Sequence, residues 1–181
     1  MTTRMIIEGH AITVDTGMAE VVRKLNECGY RTVASCSSLR EDHPSQNPKN
    51  RSDNPYVRVA GKRSELIGIA EASGWGWMLE GKSLAEDGKT PIDHVNFFST
   101  DGQVYRAEAR VLKKPEIGPD GKPVHWRQEE IRSSKEEAIQ SLFPVESTQL
   151  TLDIQNAGND EFIRQRTARL LEVITETLSH S

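Results

Sequence analysis

The chain has 181 residues, 35% of them hydrophobic and 6% aromatic, a size that fits one ordinary domain with its own aliphatic core. Charged residues make up 28% and the formal net charge is −4, which excludes wholesale disorder and argues against a nonspecific nucleic-acid coat protein. No apolar run approaches the roughly 20 residues a membrane span needs. The two cysteines make no disulfide framework, and the run Met5-Ile6-Ile7 is too short for a signal peptide, so a reducing cytoplasm is the expected location.

In chain order, Ala11 to Val14 reads as a short strand stopped by Asp15. Met18, Val21, Val22, Leu25 and Cys28 then recur at helical spacing, with Asp15 or Thr16 as the cap and Gly29 as the left-handed terminator. Residues 31–36 form the next strand. From Ser37 to Pro55 the chain is polar, with three prolines and three asparagines, and loops of this length inside a compact domain are typically functional or disordered. Tyr56 to Ala60 alternates as a strand. Ser64 is expected to cap a helix through Leu66, Ile67, Ile69 and Ala70 that ends at Gly74, and Trp75 to Leu79 reads as another strand.

That order, β-α-β-β-α-β over residues 1–81, is the order of a ferredoxin-like arrangement, so the expected fold class is α+β with an antiparallel-rich sheet. Residues 92–181 read as an extension of the same single domain. After a loop from Lys82 to Pro91, Val95–Ser99 and Gln103–Leu112 flank Thr100-Asp101-Gly102 as a hairpin. Pro119-Asp120-Gly121 marks a second tight turn, returning a strand at Val124 to Arg127. Ser133 with Glu136 is a capping-box pattern for a helix ending before Pro144. Gln149 to Ile154 alternates strictly, as a half-buried strand would. The last helix starts near Asp160, with Ile163, Ala168, Leu170, Leu171, Ile174 and Leu178 on its apolar stripe.

The functional surface is expected around Val33-Ala34-Ser35-Cys36-Ser37, where a strand leaves its sheet and short hydroxyls and backbone amides can approach a ligand. Local charge fits an anion-binding face there or, as the more ordinary reading, a solvated loop and helix flank. Between Arg23 and Arg63 there are nine Lys and Arg against four acids, whereas the remainder holds 14 against 23. The candidate ligand-binding residues are Ser35, Cys36, Ser37, Ser38, Arg40, His43 and Arg58, with Arg51 as a further cation in the loop. Cys36 with His43 and Asp42 is a nucleophile inventory without a spacing that fixes geometry, and a structural cysteine is the more ordinary reading. Cys36, His43, His10, Asp15 and Asp42 could supply metal donors. Paired short spacings such as Cys-x-x-Cys are absent, however, and no metal is expected. His94 and His125, on later strands, read as packing or surface residues. Trp75 and Trp77 share one face of their strand, either as core or as a platform for a base. Gly-x-Gly-x-x-Gly, P-loop and Gly-x-Ser-x-Gly motifs do not occur.

The helix of the form Leu-x-x-x-Gly-Tyr and the strand ending Ser35-Cys36-Ser37 resemble the wybutosine-synthesising tRNA methyltransferases, which carry Ser-Ser-Cys-Ser-Gly-Arg after such a helix. Similar helices with a Ser-Cys turn occur in uncharacterised bacterial and phage proteins. The resemblance covers residues 12–40. Ala34 stands for the first serine, Ser38 for the glycine, and Arg40 lies one residue beyond the arginine position. It implies an α/β fold, S-adenosylmethionine as cofactor and a tRNA substrate. The expectation is a small module binding a nucleotide-like molecule or RNA at the Ser-Cys-Ser turn. The alternative is a non-enzymatic phage or mobile-element accessory protein acting through a protein partner.

Overall fold

A computed structural model describes residues 1–44, 54–84, 91–98, 105–111, 116–117, 119–121, 123–124, 149–154 and 157–178. It is an α+β fold. Strands β1 (Thr2–Ile7) and β2 (His10–Asp15) form an antiparallel hairpin, and a single 3-10 turn at Thr16–Met18 leads into α1 (Ala19–Glu27). There follow β3 (Arg31–Cys36), β4 (Tyr56–Ala60), α2 (Arg63–Ser73), β5 (Gly76–Leu84), β6 (Pro91–Phe98) and β7 (Tyr105–Val111). The two-residue strands β8 (Glu116–Ile117) and β9 (Pro123–Val124) pair with each other, and β10 (Gln149–Asp153) and α3 (Asp160–Leu178) complete the order.

The first strand escaped the sequence reading. Its turn is Glu8-Gly9, both with positive φ, at +49° and +79°. Those are the conformations a two-residue hairpin requires, but Glu is an unusual residue to supply one of them. Six strands form the main sheet in the order β3-β4-β10-β5-β6-β7, all neighbours antiparallel. The four strands of the expected ferredoxin-like unit are therefore not joined as one sheet. The β2 strand pairs with β1, and β10, from the far end of the chain, separates β4 from β5. The segment read as an extension thus supplies a central strand. Lys82 to Leu84, expected in a loop, continue β5 against Ile92 and Pro91 of β6. The β6–β7 pairing matches the expected hairpin, while its Thr100-Asp101-Gly102 turn and the Ser133–Phe143 helix lie outside the described residues.

Across β4, β10 and the start of β5 one face of the sheet is apolar. Val59, Leu150 and Leu79 stand side by side on three neighbouring strands, and Val57, Leu152 and Trp77 form a second such row, all at 2% exposure or less. Burying each contributes roughly 1.5–3 kcal/mol. Val21, Val22 and Leu25 of α1, Leu66 and Ile69 of α2, and Ile163, Leu170 and Ile174 of α3 belong to the same buried cluster. Ala168, expected on the apolar stripe of α3, is exposed, and Val173, not among the expected residues, is buried. Both α1 and α2 end on a left-handed glycine, Gly29 and Gly74. The next amide reaches back to close the last turn, from Tyr30 to Leu25 O and from Trp75 to Ala70 O, each at 2.9 Å. The N-termini differ from expectation: α1 has no side-chain cap, and Ser64 lies inside α2, which begins at Arg63. Trp75 and Trp77 are both core residues and offer no exposed platform, with the Trp75 indole N–H donating to Arg166 O at 2.9 Å.

Across β3, β4 and β10 the opposite face carries polar side chains. Cys36 pairs with Tyr56 and Ala34 with Arg58, while Thr151 and Asp153 of β10 face Arg58 and Tyr56 from the other side. Because β10 is central, Thr151 and Asp153 are buried, and the strict alternation of residues 149–154 marks a polar buried face instead of a solvated one.

Candidate functional site

The strand β2 ends at Asp15, β3 ends at Cys36, and the following turn brings His43 back between them. His43 Nε2 lies 3.0 Å from Asp15 Oδ2 and 3.4 Å from Cys36 Sγ. The three donor atoms lie within 4.8 Å of one another. Asp15 and His43 keep 14% and 25% of their side-chain surface exposed, so the corner is open to solvent. Three donors of different types at this separation can surround a single cation.

A buried scaffold holds the turn. Asp42, whose side chain is fully buried, accepts the Gly17 amide at 3.0 Å and the Ser37 hydroxyl. The Ser37 hydroxyl in turn accepts the Leu39 amide at 3.2 Å. Leu39 is buried against Gly17, where a Cβ would come within 2.5 Å of Leu39 Cδ1. The chain passes this point through Ser38 in the left-handed region, φ +56°, an uncommon conformation for a residue with a side chain. On the outer side the Arg40 amide donates to Asp160 Oδ2 at the start of α3, and Glu41 pairs with Arg164 at 3.5 Å. Hydrogen bonds from the Asp42 amide to Leu39 O and from the His43 amide to Arg40 O, 3.2 and 3.1 Å, set the direction from which His43 returns.

The two carboxylates near His43 in sequence and space have exchanged their expected roles. Asp42, adjacent in the chain, points inward to the scaffold. Asp15, 28 residues upstream and read as a helix cap or a metal donor, faces His43 and accepts the Ser37 amide at 2.8 Å. His10 is exposed on β2 and is not part of the cluster. Ser35 pairs with Val57 and so lies on the helix-covered side of the sheet, opposite Cys36. Ser37 and Ser38 are buried, and neither hydroxyl is presented to solvent. Ser38 Oγ instead lies 3.7 Å from Cys36 Sγ. Arg40 is exposed and makes no ion pair among the described residues. Arg58 sits on the same sheet face as Cys36, its Nε donating to Thr151 Oγ1 at 3.3 Å. Arg51, His125 and the side chain of His94 lie outside the described residues.

Burial pushes the Cys36 thiol above the usual thiol range. Hydrogen bonds from Ser38 oppose that rise, and the charge of Asp15 adds to it. A protonated thiol beside a carboxylate is a weak nucleophile. A single histidine nitrogen also faces both partners. In a relay of nucleophile, base and acid, the two imidazole nitrogens divide those tasks. Here one Nε2 cannot donate to Asp15 and accept from Cys36 at the same time. A cavity of about 330 Å³ lies behind the turn, lined by Gly17, Glu20, Leu39, Glu41, Arg164 and Leu171 among others, and none of the three convergent residues reaches it. No family model, curated protein or solved structure matches the chain.

Proposed function

We propose that the chain is a ligand-binding module whose site is the open corner of Asp15, Cys36 and His43, and that its ligand is a small nucleotide-like molecule or a nucleotide of RNA. One observation carries the reading. Ionisable side chains from three separate segments converge at a solvent-reachable corner, on a turn held by a buried carboxylate and a strained backbone. Tyr56, directly across from Cys36, is half-buried and gives a ring on which a base can stack. Arg40 adds an exposed cation on the same turn, in the segment with the basic excess. S-adenosylmethionine, which the Ser-Cys-Ser resemblance implies, belongs to the same ligand class. Thermal-shift and calorimetric titration with nucleosides, nucleotides, S-adenosylmethionine and tRNA test it. Stabilisation that disappears in Tyr56→Ala or Arg40→Ala supports the reading, and no response to any of them refutes it.

A further inference from the structure

We infer that Asp15 Oδ2, Cys36 Sγ and His43 Nε2 are the protein ligands of a divalent metal ion of the zinc class, with a fourth coordination position open to solvent. The inference shares only the location of the site with the nucleotide-binding proposal. A metal neither requires nor supplies a nucleotide.

The two separations to the histidine nitrogen fit. A tetrahedral zinc with ordinary bond lengths places sulfur and nitrogen donors about 3.5 Å apart, and nitrogen and oxygen donors about 3.3 Å apart. The observed values are 3.4 Å and 3.0 Å, and the third separation is within 4.8 Å. The charge fits as well. A thiolate and a carboxylate sum to −2, a neutral imidazole adds nothing, and a divalent cation leaves a part-buried site neutral. The donor set also fits: thiolate with imidazole is the combination that prefers zinc to the hard cations magnesium and calcium. Neighbouring groups position the three residues. The Ser37 amide fixes Asp15, Ser38 Oγ lies against the Cys36 sulfur, and the Arg40 carbonyl holds the His43 backbone. A cation also resolves the conflict at Nε2, since one lone pair directed at a shared central ion replaces two incompatible hydrogen bonds. Three protein ligands with an open fourth position is the pattern of reactive zinc sites, where a water or a ligand oxygen completes the coordination. All three donors stand among the five that the sequence offers, but positions 15, 36 and 43, without a short paired spacing, do not single them out.

Chelator-treated full-length protein titrated with cobalt(II) tests the inference. The expected result is one equivalent bound, with a thiolate-to-cobalt charge-transfer absorption and the visible bands of a tetrahedral ion, both abolished by one equivalent of zinc. Cys36→Ser, shown folded by circular dichroism, loses the charge-transfer band, and Cys28→Ser keeps it. His43→Ala, at a part-exposed position, binds zinc about 100-fold more weakly. No charge-transfer band in the native protein overturns the inference, and so does a band that survives Cys36→Ser. Repeating the nucleotide titrations with chelated and zinc-loaded protein separates the two readings. Zinc binding without a nucleotide response leaves the metal site standing and removes the proposed ligand class. A nucleotide response without zinc binding does the reverse.

Discussion

Replacing Asp42 by alanine isolates the scaffold from the site. Its Oδ2 holds the Gly17 amide at 3.0 Å and the Ser37 hydroxyl, in a side chain with no solvent exposure. A hydrogen bond to a charged partner contributes about 1.5–3 kcal/mol, and donors left unpaired in the interior carry their own desolvation cost. The loss of two such bonds sets an upper range of about 3–6 kcal/mol. Removing a buried carboxylate also relieves its own desolvation, which brings the net toward about 3 kcal/mol. The Met1 amino group, 3.5 Å from Oδ1 and itself 69% exposed, adds little. For a domain of this size the change lowers the melting temperature by roughly 10 °C. Urea denaturation of native protein, Asp42→Ala and Asp42→Asn measures it, with the asparagine variant intermediate because it keeps one acceptor. A loss below about 1 kcal/mol in Asp42→Ala refutes the claim that this carboxylate organises the turn.

Gly17→Ala places a methyl group within 2.5 Å of Leu39 Cδ1 and should cost about 1–3 kcal/mol in a thermal or urea melt, with part recovered in the Gly17→Ala, Leu39→Ala double variant. Leu152→Ala empties a fully buried position on the central strand and should cost about 2–5 kcal/mol, read by urea denaturation. In a Cys28→Ser background without metal, iodoacetamide should alkylate Cys36 more slowly at neutral pH than it alkylates an unstructured thiol, and the rate should rise only at higher pH than for that thiol. The same shift is a stability term. The folded state holds the thiol proton more tightly than the unfolded state, so the contribution is complete below the ordinary thiol range. It is lost as pH rises through that range and beyond, which denaturation midpoints of native protein and Cys36→Ala compared across alkaline pH detect.

Local structure was largely legible in the sequence and long-range pairing was not. Met18, Val21, Val22 and Leu25 define α1 by their spacing, and Gly29 and Gly74 end their helices where a left-handed residue is needed. Pairing partners are a different matter. Nothing in Gln149 to Asp153 says that this strand enters between β4 and β5, because alternation specifies two faces and not what covers them. The buried Thr151 and Asp153 result from that placement. The site was legible as a place and not as a constellation. Cys36 and His43 were both candidates. Asp15 reads both as a helix cap and as one of five possible metal donors, and only the return of the 37–43 turn shows that it faces His43 and the Ser37 amide. Asp42, the obvious acid beside His43, is taken up by the Gly17 and Ser37 donors.

The most direct measurement of the central claim, that Asp15, Cys36 and His43 form one working centre, is the X-ray absorption spectrum of the protein loaded with one equivalent of zinc. The account predicts a single sulfur at about 2.3 Å and a shell of nitrogen and oxygen at about 2.0–2.1 Å, with the sulfur contribution lost in Cys36→Ser. A shell of nitrogen and oxygen alone in the native protein contradicts it.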